Sequence, residues 1–282
     1  MQPKYHLKII VNSSFFYLLL CFFSIKSIAQ TEADVSNTPS TSRPTYLVVS
    51  TGVQPSIFRD VATSPLFYIG NATHIALAHK DLDDKRESSF RLSYAFGDFH
   101  SKSAQEKTVS DVRIFALNYL EFFQLNKFSS SKVNLKIGGQ LNTSAILRDN
   151  PTLGNNGDGF DLVATLFGSV KAMIDANRKT NKLPKKLTIG LHIGLINSSY
   201  RNGFIYTRQS PLLNQDNITD GYAFRLLSGF RLNSSVDYTI SLRNRNALQL
   251  TYQWDAFRIG DKVAKFEMAS HLLQASLLFN LK

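Results

Sequence analysis

The chain has 282 residues, of which 43% are hydrophobic and 19% charged, and its formal net charge is +11. A single cysteine, Cys21, excludes an intramolecular disulfide framework. Past the first 29 residues, no apolar run approaches the roughly 18 residues of a transmembrane helix. If that part of the chain enters a membrane, it must do so as a closed β-barrel, because lipid cannot satisfy unpaired backbone groups.

The first 29 residues have the pattern of a secretory signal peptide. Lys4 and Lys8 form a basic start, Ile9–Ile25 is mostly apolar, and Ser27–Ala29 matches a small-x-small cleavage site. Cleavage would remove the only cysteine, and with it any thiol chemistry. The net charge of the mature chain would fall from +11 to +8 with the loss of three lysines, which still suits anionic partners.

The segment that follows is rich in Ser, Thr and Pro and nearly devoid of apolar side chains. Such a composition cannot bury enough surface to fold, so a disordered leader is expected. We therefore predict three parts: a signal peptide over 1–29, a periplasmic leader over 30–44, and a folded domain over 45–282.

The folded part is a series of segments in which apolar and polar residues alternate, separated by turn-rich gaps. A period of two indicates β-strands with one apolar and one polar face. The segments are approximately 45–53, 66–78, 88–97, 110–122, 131–147, 160–174, 186–197, 221–241, 247–258 and 271–282. In 110–122 both faces carry apolar residues, so its orientation is ambiguous.

The eighth segment is unusually long. Apolar residues keep one parity from Tyr222 to Leu242, straight through the turn-like sequence Asn233–Ser235. A one-residue slip would have inverted this parity, so one continuous strand is predicted. The total is then ten strands, an even number, as in single-chain bacterial barrels.

The last segment, His271–Lys282, places Leu273, Ala275, Leu277, Phe279 and Leu281 on one face. It resembles the closing strand of small Gram-negative outer-membrane β-barrel proteins, although many of those end on an aromatic residue and this chain ends on Lys282. The resemblance is to the class and not to one family. It implies an all-β, antiparallel up-and-down transmembrane barrel of about ten strands, with 8–12 possible.

A soluble exported barrel or sandwich also alternates, with its apolar face inward. The membrane barrel is favoured by the small and amide residues on the polar face, which suit a crowded lumen, and by aromatic residues near strand ends. We therefore expect an outer-membrane location. The expected partners are outer-membrane lipid, lipopolysaccharide and the barrel-assembly machinery, with no nucleic acid, metal or cofactor and an unknown ligand.

The parity of each strand predicts which charged side chains face the lumen. Side chains fill the interior of an eight-stranded barrel, and a ten-stranded barrel has little more interior space. Mixed charges are expected to pair there, and a basic constriction that selects anions is the alternative. The predicted lumen residues are Arg91, Arg113, Lys136, Lys171, His192, Arg225, Arg231, Asp237 and Asp255, together with Asp161 and Glu121.

The longest gap, 198–220, is predicted to be an outer loop because both chain ends should be periplasmic. Loops on a rigid scaffold often carry function. The function predicted is therefore a non-enzymatic barrel with a binding, adhesion or structural role, and the alternative is a narrow anion-leaning transport channel. The binding candidates in the loop are Tyr200, Arg201, Phe204, Tyr206 and Arg208.

Two histidines, His100 and His192, are candidates for hydrolytic chemistry. Asp98 and His100 resemble part of the omptin outer-membrane protease site, but the match is one short motif whose partner aspartates would have to be Asp158 and Asp161. His192 is predicted to face the lumen and to form a structural hydrogen bond. A hydrolase is thus the weakest alternative.

Overall fold

The computed structural model describes residues 44–103, 108–130, 132–177, 183–201, 223–226, 229–260 and 265–281. These residues form eleven β-strands and two short 3-10 helices, Asn126–Phe128 and Pro151–Asn156. The strands are β1 Thr45–Asp60, β2 Phe67–Leu82, β3 Arg86–Ser101, β4 Val109–Gln124, β5 Val133–Asp149, β6 Asp158–Asp175, β7 Lys185–Arg201, β8 Ala223–Leu226, β9 Phe230–Ser241, β10 Ala247–Ile259 and β11 Phe266–Asn280. The predicted signal peptide and nearly all of the predicted leader lie outside the described residues.

The strands close into one antiparallel barrel. Consecutive strands pair with each other, except that β8 and β9 both pair with β7. The ring is completed by β1, which pairs with β11 from Tyr46↔Asn280 to Asp60↔Phe266. Because β8 and β9 together occupy one strand position, the barrel has ten strand positions, and the predicted fold class is confirmed. We call the end that holds Thr45 and Asn280 the terminal end, and the end that holds Asp60 and Phe266 the distal end.

The eighth strand position differs from the prediction, because it is formed by two separate strands, β8 and β9. Gly229 lies between them with φ of +97°, a conformation that glycine adopts at little cost. Between the pairs Ile193↔Leu232 and Ser198↔Leu226, the β8–β9 segment uses one more residue than β7 does. The predicted continuity through Asn233–Ser235 is correct, since this sequence lies within β9.

A β-bulge in β7 changes which of its residues face inward. The register with β6 shifts between Leu166↔Ile196 and Phe167↔Gly194, so β7 contains one extra residue there. Leu195 and Ile196 are consequently both exposed on the outer wall. Beyond the bulge the inward parity changes from even to odd positions, and Arg201 is buried inside the barrel.

The outer wall of the barrel is apolar. On β7, the outward Leu191 is 45% exposed while the adjacent His192 is 7% exposed. A continuous apolar surface of this kind marks contact with a membrane or a partner. It includes Leu77, Leu92, Phe115, Ile137, Val170, Leu250 and Leu277. Separately, no helix in the described part of the chain is long and apolar enough to span a membrane.

Candidate functional site: the barrel lumen

Two arginines and two aspartates cross the lumen near the distal end. Arg148 on β5 bonds Asp60 on β1, with 2.5 Å between Nη1 and Oδ2, and also pairs with Asp161 on β6. Arg201 on β7 contacts the same two carboxylates, at 3.0 Å to Asp60 and 2.6 Å to Asp161. All four residues are at most 6% exposed. This distal ion cluster connects β1 with strands on the opposite side of the barrel.

Beside the distal ion cluster, the lumen is filled by apolar side chains. The ring of Phe266 lies 4.4 Å from the Arg148 guanidinium and 5.6 Å from that of Arg201. Phe58 stacks on Tyr68 with 5.0 Å between ring centroids. The apolar plug consists of Phe58, Tyr68, Ala72, Ala95, Phe99, Val112, Ile146, Val163, Phe257, Ile259, Phe266 and Met268. The prediction of a polar lumen is therefore wrong for the distal part of the barrel.

Near the terminal end, three lysines surround one carboxylate. Glu87 on β3 is fully buried and contacts Lys171 at 2.7 Å, Lys80 at 3.3 Å and Lys136 at 3.9 Å. Lys136 is itself 0% exposed and also donates to the backbone carbonyl of Asp83 at 2.5 Å. We call these four side chains the terminal ion cluster.

Between the two clusters lies a polar cavity of about 90 Å³. Arg231 on β9 is paired with Asp255 on β10 at 2.7 Å and donates to Oδ1 of Asn142 at 2.6 Å. Arg91 on β3 reaches across to Gln274 on β11. The described part of the interior thus holds the distal ion cluster with the apolar plug beside it, then the polar cavity, and then the terminal ion cluster.

The structure places most of the predicted lumen charges inside the barrel. Lys136, Lys171, His192 and Arg231 are buried, and Asp237 accepts a hydrogen bond from the buried Thr251 at 2.7 Å. Arg225 lies on β8 opposite Ser199, and its side chain is outside the described part of the structure.

Arg113 faces the other way from its prediction. Its side chain is 57% exposed on the outer wall, where it pairs with Asp111 at 2.7 Å. Glu121 is on the same outer face and pairs with Arg86. The reason is that both faces of β4 are apolar, and the one carrying Val112 packs into the plug. The predicted lumen positions of Arg113 and Glu121, in a strand whose orientation the sequence left ambiguous, are therefore wrong.

The outer-loop candidates divide into two groups. Tyr200 and Arg201 belong to β7, because backbone pairing with β6 and β8 continues beyond the predicted strand end. Arg201 is consequently a lumen residue in the distal ion cluster rather than a loop residue. Phe204, Tyr206 and Arg208 lie outside the described residues.

The histidines considered for hydrolysis are not brought into a triad. Asp98 and His100 are exposed on the outer wall of β3, whereas Asp161, one of the proposed partner aspartates, is buried in the distal ion cluster. His192 Nδ1 lies 2.8 Å from Oγ of Ser169, and both residues are buried in the lumen. Within the described ranges, no three His, Cys, Asp or Glu side chains could hold a metal ion.

No protein-family model matches the chain, and no curated protein matches it. Among solved structures, it is similar to the transport unit of the autotransporter AIDA-I from Escherichia coli, with 7% identity, coverage of 92% of this chain and 97% of that one, and a TM-score of 0.45. It is similar to the translocator domain of NalP from Neisseria meningitidis, with 7% identity, 98% and 100% coverage, and a TM-score of 0.40. It is also similar to Neisserial surface protein A, with 11% identity, coverage of 83% of this chain and 97% of that one, and a TM-score of 0.36.

Proposed function

We propose that this chain is an outer-membrane β-barrel protein whose outer wall contacts lipid directly. The observation that carries this proposal is a closed barrel with an apolar exterior, of which Leu191 is a mid-strand example. An exported soluble barrel would place this apolar face inward. The signal-like sequence of residues 1–29 supports export.

The limits of the apolar exterior support the same proposal. At the distal end, four aspartates stand in register on adjacent strands of the outer wall, namely Asp98, Asp111, Asp149 and Asp158. At the terminal end, β4 carries the ion-paired Glu121. Between these charged limits the outward residues of β4 include Phe115, Leu117 and Tyr119. Aromatic and aliphatic side chains bounded by charges match the lipid-facing zone of a membrane barrel.

Leu191→Arg tests the lipid-facing assignment. Arginine at the bilayer midplane of a barrel costs about 2–4 kcal/mol, and the cost falls to about 0–1 kcal/mol near the interfaces. We expect a loss of about 2–4 kcal/mol for Leu191→Arg and of about 0–1 kcal/mol for Val109→Arg, which replaces an outward residue at the distal end of β4. Urea unfolding in liposomes measures both.

A lumen substitution distinguishes the two orientations of the barrel. His192→Trp must fit a filled interior and should cost about 1–3 kcal/mol through overpacking. In a soluble barrel with its polar face outside, the same change would be silent. A costly Leu191→Arg beside a silent His192→Trp would therefore overturn the outer-membrane proposal.

We further propose that the barrel is a non-conducting scaffold with a binding, adhesion or structural role. The support is the distal ion cluster, which joins Asp60 to Arg148 and Arg201 across the lumen beside an apolar plug. Side chains that meet across a narrow barrel fill the space through which a solute would have to pass. The chain segments between the strands would then carry the activity.

The second candidate function is a narrow anion-leaning channel. It is favoured by the lysine-rich terminal ion cluster, in which Lys80, Lys136 and Lys171 surround a single carboxylate. Planar-bilayer recording on the refolded protein separates the two functions. The scaffold proposal predicts that no channel conductance is recorded, even when gel migration that changes on heating shows that the barrel is folded. Regular conductance steps with anion selectivity would establish the channel instead.

A further inference from the structure

The polar cavity in the middle of the lumen has the properties of a ligand site. Its volume is about 90 Å³, and it is lined by side chains from strands all around the barrel, among them His74, Arg91, Asn118, Asn142 and Arg231. Since a water molecule takes up about 30 Å³ in the liquid, the space suits a few waters or one small ion.

Arg231 determines how the amides of this cavity are oriented. A guanidinium can only donate, so its 2.6 Å bond to Asn142 identifies the atom it contacts as the amide oxygen. The amide nitrogen of Asn142 must then donate to Asn118, whose oxygen also accepts from Gln140, both at 2.8 Å. The acceptor of Asn118 is thereby used twice, and its remaining group is an N–H donor.

Arg91 has the same effect on the other side of the cavity. It donates to the side-chain oxygen of Gln274, so the Gln274 nitrogen donates onward to Ser276 at 2.9 Å. Arg91 is only partly buried, and its polar contact is with this neutral amide. Among the described residues it forms no direct ion pair, although Asp237 is near enough to attract it electrostatically, whereas Arg231 is paired directly with Asp255.

His74 supplies an independent indication of a ligand. The residue is 5% exposed and lines the cavity, and its Nδ1 has no hydrogen-bond partner among the described residues. Buried polar atoms are nearly always satisfied by protein, water or ligand. An unpartnered ring nitrogen in a cavity that a cation and an amide donor also line therefore indicates that a bound group completes the site.

We propose that this cavity binds one small monovalent anion, of the size of nitrate, bromide or formate. Arg91 provides the charge, Asn118 provides an N–H donor, and His74 provides a second one in the tautomer that carries its proton on Nδ1. The charges that line the cavity support an anion, because they are two cations, Arg91 and Arg231, and one carboxylate, Asp255.

The test measures anion-dependent stability of the whole barrel in detergent. Sodium nitrate replaces sodium gluconate at constant ionic strength, since gluconate is too large for the cavity. A ligand that binds only the folded state raises the unfolding midpoint in a saturable way. We expect a saturable rise for the unmodified protein and at least a tenfold weaker nitrate affinity for Arg91→Gln. Arg113→Gln, which removes an arginine from the outer wall, should leave the affinity unchanged.

A second variant covers the case in which Arg91→Gln does not fold. Asn118→Ala keeps the arginine and removes one donor, so nitrate affinity should fall about threefold to tenfold. Bromide soaked into crystals should give an anomalous peak within hydrogen-bond distance of Arg91 and His74. Equal nitrate dependence in all variants, or a cavity that holds only water at saturating bromide, would overturn the proposal.

Discussion

Replacing Glu87 by glutamine is expected to lower the free energy of unfolding by about 3–5 kcal/mol, the usual cost of removing one partner from a buried ion pair. Glu87 is 0% exposed at its side chain and is the only carboxylate in the terminal ion cluster. Without it, Lys80, Lys136 and Lys171 would lose the one carboxylate that all three of them contact. Glutamine keeps the size of the side chain, so packing changes little.

Glu121→Gln is the matched control for this change. Glu121 also pairs with a cation, Arg86, but on the outer wall near the same end of the barrel, where both side chains remain partly exposed. Exposed pairs contribute about 0–1 kcal/mol. Urea unfolding of the two variants in micelles should therefore show a large loss for Glu87→Gln and a small one for Glu121→Gln. Equal losses would contradict the assignment of Glu87 to a buried cluster.

Strand alternation predicted the fold because it depends on one strong physical requirement. Where one face of a strand is apolar and the other polar, as around Leu191 and His192, the side-chain period of two determines which residues point outward. This rule was sufficient to predict the closed barrel with ten strand positions and lumen residues such as Lys136 and Arg231.

The same rule failed where the two faces do not differ. In β4 both parities are apolar, because Val112 and Ile114 pack with the plug while Phe115 lies on the exterior. Hydrophobicity alone cannot orient such a strand, and Arg113 was assigned to the wrong face for this reason. Its neighbour Asp111 indicates the outward direction only when the pairing with Asp98 and Asp149 is known.

Two members of the distal ion cluster were missed because strands 45–53 and 131–147 were predicted to end too early, whereas Asp161 was predicted to face the lumen. Asp60 and Arg148 fell in predicted gaps, yet the backbone ladder continues through both. Each keeps the inward parity of its strand, and that was the available signal. Arg201 had no such signal, since the bulge at Leu195 reverses its parity and depends on pairing with β6.

Asp161→Asn is expected to destabilise the barrel by about 3–5 kcal/mol, because it removes one of the two buried carboxylates that Arg148 and Arg201 both contact. Asparagine preserves the shape but accepts from only one oxygen. Asp111→Asn, which breaks an exposed pair with Arg113 on the outer wall, should cost at most about 1 kcal/mol. Urea unfolding in micelles measures both losses.

A double variant shows whether the loss comes from uncompensated charge. Asp161→Asn combined with Arg201→Gln removes one charge of each sign and keeps the pair of Arg148 and Asp60, which are 2.5 Å apart in the unmodified protein. Residues in one ion network are not additive, so the double variant should be less destabilised than the sum of the two single changes by about 0.5–3 kcal/mol. Strict additivity would mean that Asp161 and Arg201 act independently, and the distal ion cluster would then not be a cooperative barrier across the lumen.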